Sequence, residues 1–200
     1  LQYVDDSKEI HQLISEVITY QKQPIQIKPK ELKDLTDKAF KLKLFKDFRK
    51  GELKALIESS YPIHPVTLYL LPRISARVAQ NERTLFSFIY SRDLTKMIYP
   101  HELYDYFSND MRVDTSTGGT YKQWLETQSA LSKIDENETS EITLKTTCLL
   151  GLGTAGERSK AGRDLLLYSL HGIDKYKVLV TSIDKLIEKK LLLYRRHNDE

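Results

Sequence analysis

The sequence predicts a mainly α-helical protein. Several stretches repeat apolar residues at intervals of three and four, the spacing that places side chains on one face of a helix. Most prolines and glycines fall between these stretches, where they interrupt helices. With 200 residues and 40% hydrophobic content, the chain can bury one core or two small ones. We expect two helical subdomains joined by a linker.

Three helices are predicted at the N-terminal end. Residues 7–20 carry one apolar face, formed by Ile10, Leu13, Ile14, Val17 and Ile18. Pro24 and Pro29 interrupt the chain after it, because proline lacks a backbone donor and disfavours helix in the preceding residue. A second helix is predicted over residues 31–48 and a third over residues 52–59.

Basic residues are concentrated between Lys22 and Lys54, where eleven lysines and arginines stand against five acidic residues. A basic run of this kind can contact the phosphates of a nucleic acid or of a nucleotide. Lysines at helical spacing also line ordinary solvated surfaces. Since no aromatic residues are visibly arranged as a stacking platform, we favour the solvated surface and keep phosphate contact as the alternative.

Two segments rich in turn-forming or acidic residues divide the chain. Residues 110–121 contain the run Thr-Ser-Thr-Gly-Gly-Thr, and residues 135–141 contain four acidic residues and no basic one. A connecting helix is expected between them, with the apolar residues Trp124, Leu125, Ala130, Leu131 and Ile134. We predict a helical subdomain at 1–110, a linker with this helix at 111–140 and a C-terminal domain at 141–200.

The C-terminal domain is predicted to contain three helices followed by a strand. The helices are expected at residues 141–151, 162–170 and 174–190. The third has the clearest apolar periodicity, with Tyr176, Leu179, Val180, Ile183, Leu186 and Ile187. The strand is expected at residues 191–196, before a polar turn that starts at Asn198. This is the order of a winged helix, truncated before the second strand of its wing.

The third C-terminal helix is the candidate recognition helix, since the corresponding helix of helix-turn-helix proteins enters the major groove of DNA. The candidate phosphate contacts on this helix and the wing are Lys175, Lys177, Lys185, Lys189, Lys190, Arg195 and Arg196. Asp174, Asp184 and Glu188 lie in the same segment, which lacks the Asn, Gln or Arg that usually read bases. A packing or protein-interaction role is therefore the alternative to DNA contact.

A glycine pattern in the same domain raises a further alternative. Residues 151–156 match G-x-G-x-x-G, and residues 177–184 read as a strand that ends in an acid, as in dinucleotide-binding enzymes. However, the preceding strand would contain Lys145 and three threonines, and helical periodicity continues to Ile187. We favour glycines that end one helix and lead to the next.

The least ordinary stretch of the sequence spans residues 61–89. Pro65 suits the first turn of a helix, and Pro72 kinks that helix or starts another. Asn81 is a candidate cap for the following helix. The inner face of that helix is expected to contain Leu85, Phe86, Phe88 and Ile89. Arg83 lies in its first turn, where a cation opposes the helix dipole, so this arginine needs an anionic partner.

Residues 61–90 resemble the lid region of large bacterial P-loop ATPases, of the AAA+ type related to origin-recognition initiators and to phage-defence ATPases. The layout of residues 35–200 is similar to theirs. The resemblance implies a helical lid after a nucleotide-binding core, followed by a winged-helix domain. It makes Arg83 the candidate sensor of the nucleotide, with Arg73 and Arg77 as further candidates. The alternative is that these arginines pair with Glu82 or other surface acids. The resemblance also implies that an upstream core of the same protein holds ATP and Mg²⁺, and that DNA or other protein subunits are the output partners.

The chain by itself is not expected to hydrolyse ATP. It contains no G-x-x-x-x-G-K-[ST] loop and no apolar strand ending in acidic residues. It starts at Leu1 and ends in a charged run, which indicates a piece of a longer protein. We therefore expect a lid-like helical bundle and a truncated winged helix from an ATP-dependent switch. A nucleotide-independent helical interaction module is the alternative.

No catalytic or metal-binding residues are predicted. Cys148 is the single cysteine, which excludes an internal disulfide. His64 shares no regular spacing with the other histidines and is interpreted as a turn residue, and no nucleophile has an evident partner. No apolar run approaches the roughly 18 residues of a membrane-spanning helix, so a soluble cytoplasmic protein without a membrane partner is expected.

Overall fold

The computed structural model of the chain describes residues 5–21, 25–78, 82–134, 138–154 and 162–193. Within these ranges the chain is mainly α-helical, as predicted. The helices are α1 (Asp5–Tyr20), α2 (Pro29–Lys41), α3 (Lys50–Ser59), α4 (Pro65–Val78), α5 (Glu82–Tyr90), α6 (Pro100–Val113), α7 (Tyr121–Leu131), α8 (Glu138–Gly153), α9 (Arg163–Ser169) and α10 (Tyr176–Glu188). None of the helices described is long and apolar enough to cross a membrane.

Helix α2 is shorter than predicted. The sequence predicts a helix over residues 31–48, but α2 ends at Lys41. Lys43 takes a left-handed conformation with φ of 54°, and the N–H groups of Lys43 and Leu44 bond to carbonyls of the last turn at 3.1 and 3.3 Å. These are the two bonds of a Schellman cap, which closes a helix. The two phenylalanines after the cap are buried in non-helical backbone.

Helix α4 is packed on most sides by other helices. It contacts α2, α5, α6, α8 and α9. Pro65 is its first residue, as predicted, and residues 65–71 are all buried. Pro72 lies inside the helix, which continues to Val78, so this proline does not start another helix. The motif stretch of the sequence thus contributes the central helix of the core.

The turn between α6 and α7 is held by one carboxylate. Asp114 accepts hydrogen bonds from the Ser116 hydroxyl (2.7 Å), the Thr120 N–H (2.7 Å) and the Thr120 hydroxyl (3.0 Å). The bond from Ser116, followed by those from Thr120, lowers the pKa of Asp114. Helix α7, which begins directly after this turn, is the predicted connecting helix. The turn itself begins later than predicted, because α6 continues to Val113.

The C-terminal region has the three predicted helices, but α10 is not followed by the predicted strand. Lys190 is left-handed with φ of 58°. The N–H groups of Leu191 and Leu192 both donate to the Leu186 carbonyl, at 2.9 and 3.2 Å. The chain therefore folds back over the end of α10, and the strand prediction is wrong as far as residue 193. The rest of that strand and the turn at Asn198 lie outside the described residues.

The dinucleotide-binding alternative is wrong, because both of its strands are helical. Residues 177–184 belong to α10, and the segment that would form the first strand is α8. Gly153 lies in the last turn of α8, and a Cβ at this position would collide with the Leu70 side chain of α4. This glycine therefore allows two helices to cross closely, and it does not cradle a phosphate.

Buried residues from α1 to α10 form one hydrophobic core. Four of its largest fully buried side chains are Tyr69, Tyr104, Phe88 and Phe107. The C-terminal helices join this core directly, since the Tyr168 hydroxyl of α9 donates to the Leu35 carbonyl of α2 at 2.8 Å. The predicted division into residues 1–110, 111–140 and 141–200 stays a prediction.

Candidate functional site

The two arginines of α4, which the resemblance makes candidate sensors, make contacts within the chain. The Arg73 guanidinium lies 3.9 Å from the centroid of the Tyr69 ring, and its Nη1 donates to the Tyr69 carbonyl at 3.1 Å. Arg77 donates to the carbonyls of Leu152 (3.0 Å) and Gly118 (3.4 Å). Since Leu152 is in the last turn of α8, Arg77 supplies a cation at the negative end of that helix. Both arginines therefore have a structural role.

Arg83 is the second residue of α5, so its predicted position in a first turn is confirmed. Its side chain, like the predicted cap Asn81, lies outside the described residues. Leu85, Phe88 and Ile89 anchor α5 in the core, as predicted. The N-terminus of α5 thus has a position set by packing, and its dipole favours a negative charge there.

A buried histidine caps α4. The Val66 N–H donates to His64 Nδ1 at 3.2 Å, and the His64 carbonyl accepts the first helical bond from Leu68. Complete burial, with smaller contributions from His171 and Lys38, lowers the pKa of His64 to about 3. The ring is therefore neutral near pH 7, and its Nε2 has no hydrogen-bond partner among the described residues. This position matches the interpretation of His64 as a turn residue.

Aromatic side chains from distant parts of the chain enclose His64. Tyr99 stacks on it with a centroid distance of 5.6 Å, and Tyr168 lies at 5.1 Å. The Tyr99 hydroxyl donates to the His171 carbonyl at 3.4 Å, beside Gly172, whose φ is 101°. The cluster links the start of α4 to the turn between α9 and α10. No local spacing in the sequence predicts it, because its members meet only through tertiary packing.

Helix α10 packs against α8 and α9 through one face. Leu179, Ile183 and Leu186 are each 2% exposed, as their spacing predicted. Tyr176 is 69% exposed, so its predicted place on the inward face is wrong. It is the first residue of α10 and precedes the turns that pack, so the apolar spacing extends beyond the buried part of the helix.

The opposite face of α10 carries a basic row. This row consists of three lysines and one threonine, which are spaced by four residues and all exposed: Lys177, Thr181, Lys185 and Lys189. The exposed Glu188 lies on the same side of the helix. Lys175 before the helix and Lys190 after it are exposed as well. The five predicted lysines thus lie on the surface. Arg195 and Arg196 lie outside the described residues, so their place in the interface stays a prediction.

Two acidic residues of this segment interact with other groups of the chain. Asp184 forms an ion pair with Arg163 of α9 at 2.7 Å. Asp174 accepts a hydrogen bond from the Lys175 N–H at 2.7 Å. Sequence reasoning missed Arg163, because its pairing depends on how α9 packs against α10. The ion pair offsets one negative charge beside the basic row.

Cys148 is not an activated nucleophile. Burial raises the pKa of its thiol to about 11, and its Sγ lies 3.8 Å from the Gln123 carbonyl, to which it donates. Since the thiolate is the reactive form, this cysteine is inert near neutral pH. In the part of the chain that the structure describes, no three His, Cys, Asp or Glu side chains are grouped so as to hold a metal ion.

Comparison with protein-family models gives no match, and comparison with curated proteins and with solved structures gives none either. Support for a function therefore comes from the residues and contacts of the chain itself.

Proposed function

We propose that this chain is the lid and output portion of an ATP-dependent switch, in which Arg83 senses nucleotide and α10 contacts DNA. One observation carries the proposal: a helix N-terminus suited to a phosphate and an exposed basic helix belong to one packed core. The resemblance of residues 61–90 to ATPase lids supports the same function. ATP and Mg²⁺ would be held by a nucleotide-binding core elsewhere in the same protein.

The start of α5 supports the nucleotide-sensing part. The first N–H groups of a helix lack intrahelical partners, and its dipole favours an anion at that end. Arg83 adds a cation to the same turn, which costs about 0.3–1 kcal/mol when no anion is near. A phosphate would offset that cost. Arg73 and Arg77 are weaker candidates, since their guanidinium groups already donate to backbone carbonyls.

Helix α4 supports a connection between the two ends of the proposed switch. It lies just before α5 in the chain, and Arg77 joins its last turn to the C-terminus of α8. Leu70 of α4 lies against Gly153 of α8, and α8 packs against α10. A shift of α4 and α5 on nucleotide binding would therefore be transmitted through α8 to the basic row.

The α9–α10 segment supports the output part. Two helices joined by a short turn with a left-handed glycine, Gly172, are typical of helix-turn-helix units. The exposed face of α10 offers Lys177 and Lys185 and contains no Asn, Gln or Arg. We therefore expect contacts to the phosphate backbone and little discrimination between base sequences.

The test is steady-state ATP turnover of the natural full-length protein that contains this chain. We expect Arg83→Ala to slow turnover on the order of 100-fold, because the variant lacks a group that stabilises phosphoryl charge. Arg112→Ala is the matched control, since Arg112 is an exposed arginine of another helix, α6. Circular dichroism checks the fold of both variants. Equal turnover in the wild-type and Arg83→Ala proteins, or no turnover in the wild type, contradicts the proposal.

A nucleotide-independent protein-interaction module is the second candidate. The exposed apolar residues beside the basic row favour it, since Tyr176 is 69% and Val178 41% exposed. Aromatic residues among cations suit a partner protein with an acidic, partly apolar surface. This candidate predicts that a protein partner binds α10 equally well with and without ATP and is not displaced by DNA. Displacement by DNA would favour the first candidate.

A further inference from the structure

The connection between α2 and α3 forms a second basic surface of the described chain. We call residues 38–50 the α2–α3 corner. Within it, one acidic residue, Asp47, stands against six basic ones: Lys38, Lys41, Lys43, Lys46, Arg49 and Lys50. All six basic residues are exposed. The corner is separate in sequence from the basic row of α10.

Buried side chains hold the backbone of the corner against the core. Leu44, Phe45 and Phe48 are buried, and Phe45 packs edge-on against Tyr69 of α4 at a centroid distance of 5.7 Å. The Schellman cap of α2 fixes the residues that precede these anchors. The lysines of the corner therefore project from an ordered turn, so binding a ligand there would not require the backbone to be ordered first.

Lys43 occupies a position where glycine is the least costly residue. Its φ of 54° is left-handed, a conformation that disfavours side chains with a Cβ. A cation is favourable at a helix C-terminus, but Lys38 and Lys41 already supply two in the last turn of α2. The helix dipole of α2 therefore does not require Lys43 as a further cation. Local backbone strain of this kind is commonly found at functional positions.

Acidic neighbours leave part of the charge of the corner without a partner. Asp37 pairs with Lys50 at 2.7 Å. The Glu52 carboxylate accepts from the Arg49 N–H at 2.7 Å and pairs with Lys8 at 3.4 Å. Lys41 and Lys43 form no ion pair among the described residues, so their ammonium groups are available to an anion.

One aromatic ring is exposed beside these lysines. Phe40 is 45% exposed, and the Lys50 Nζ lies 6.0 Å from its ring centroid. Proteins that bind single-stranded nucleic acid combine cationic side chains for the phosphates with exposed aromatic rings on which bases stack. Burial of Leu44, Phe45 and Phe48 leaves Phe40 as the one large apolar side chain exposed in the corner, which is too little for insertion into a membrane surface.

We propose that the α2–α3 corner binds single-stranded nucleic acid, with Lys41 and Lys43 on phosphates and Phe40 stacked on a base. The surface is distinct from α10, and the inference does not depend on ATP or on the proposed switch. Binding should tolerate different nucleotide sequences, because base stacking and phosphate contacts do not depend on the base edges or on the order of the bases.

The test is the affinity of the whole chain for a fluorescent 20-nucleotide oligothymidylate, measured by anisotropy at several salt concentrations. We expect the double variant Lys41→Ala, Lys43→Gly to weaken binding and to reduce the salt slope by about 1.4, or about 0.7 for each phosphate that the variant no longer neutralises. Phe40→Ala should weaken binding about fivefold or more with an unchanged salt slope, since stacking involves no counterion release.

Three controls keep the outcome decisive. Lys43→Gly removes the left-handed strain, so the thermal midpoint of the double variant should be equal to or above that of the wild type unless the fold is disturbed. Lys96→Ala with Lys133→Ala removes two exposed lysines elsewhere and should leave the affinity unchanged. The corner variants should lose the same affinity when Lys177→Ala and Lys185→Ala are already present, which separates this surface from α10. No binding by the wild type, equal losses in the corner and control variants, or binding only to anionic phosphatidylserine vesicles would overturn the proposal.

Discussion

Helices α4 and α10 both carry basic residues, and the two helices use them in opposite ways. In α4, Arg73 and Arg77 donate to backbone carbonyls of the chain itself. In α10, Lys177 and Lys185 lie on the face away from the core and are exposed. Arg77 joins α4 to α8, and Arg73 contacts Tyr69 of its own helix, whereas the lysines of α10 are available to a partner.

The difference follows from how much of each helix is buried. Residues 65–71 of α4 are buried on every side, so the charged residues that follow them have protein neighbours. Helix α10 buries one face through Leu179, Ile183 and Leu186 and leaves the rest to solvent. The number of charges in a helix therefore does not reveal their use. The apolar residues around them do.

The largest difference between the two helices is expected from removing an apolar side chain from each. Leu68→Ala in α4 should lower the free energy of unfolding by about 2–5 kcal/mol, since Leu68 is fully buried and the smaller side chain leaves a cavity. Val178→Ala in α10 should change it by about 0.5 kcal/mol or less, because Val178 is half-exposed. Urea unfolding of both variants measures this difference in the free energy of unfolding. Similar destabilisation of the two variants would contradict the prediction.

The cap of α4 should make stability depend on pH. The pKa of His64 is lowered by burial to about 3, so below about pH 6.5 the unfolded chain takes up a proton that the folded chain does not. Stability should therefore fall as pH falls, by roughly 2 kcal/mol at pH 5 from this residue.

Replacing His64 tests this prediction. His64→Asn keeps a side-chain acceptor for the Val66 N–H and removes the titrating ring. The variant should lose less stability than the wild type between pH 7.5 and pH 5, measured by urea unfolding. His101 and His171 also have lowered pKa values and remain in both proteins, so the difference reports on His64. Parallel pH profiles would contradict the prediction.

The close crossing of α4 and α8 is tested by two glycines of one helix. Gly153→Ala should destabilise the fold by about 1–3 kcal/mol, because the added Cβ collides with fully buried Leu70. Gly151→Ala is the matched control. A Cβ there meets nothing within 4 Å, and alanine should stabilise α8 by up to about 1 kcal/mol. Thermal midpoints that shift in the same direction from the wild type in both variants would argue against a tight crossing.

The helices were largely predictable from the sequence, because apolar spacing records which face of a helix is buried. Pro65 at the start of α4 and the buried Leu179, Ile183 and Leu186 of α10 illustrate this. The ends of helices were harder to predict. Lys43 and Lys190 both close helices in left-handed conformations that usually select glycine, so no glycine marks either cap. For this reason the helix predicted at α2 was too long, and a strand was wrongly predicted after α10.

The candidate sites were predictable only as lists of charged residues. The lysines of α10 could be named because their helical spacing is visible in the sequence. The contact of Arg77 with Leu152 and the pairing of Arg163 with Asp184 could not, since each joins residues that packing alone brings together. Sequence reasoning therefore located the basic surfaces without showing which charges the chain neutralises itself.

The most direct test of this contrast is the salt dependence of duplex DNA binding by the whole chain. If α10 is the outward-facing basic helix that contacts DNA, Lys177→Ala with Lys185→Ala should reduce the salt slope by about 1.8, or about 0.9 for each phosphate left without its lysine. Lys122→Ala with Lys133→Ala, two exposed lysines in and after α7, should leave the slope unchanged. An unchanged slope in the α10 variant, or an equal change in both, would contradict the assignment of α10 as the DNA-contacting surface.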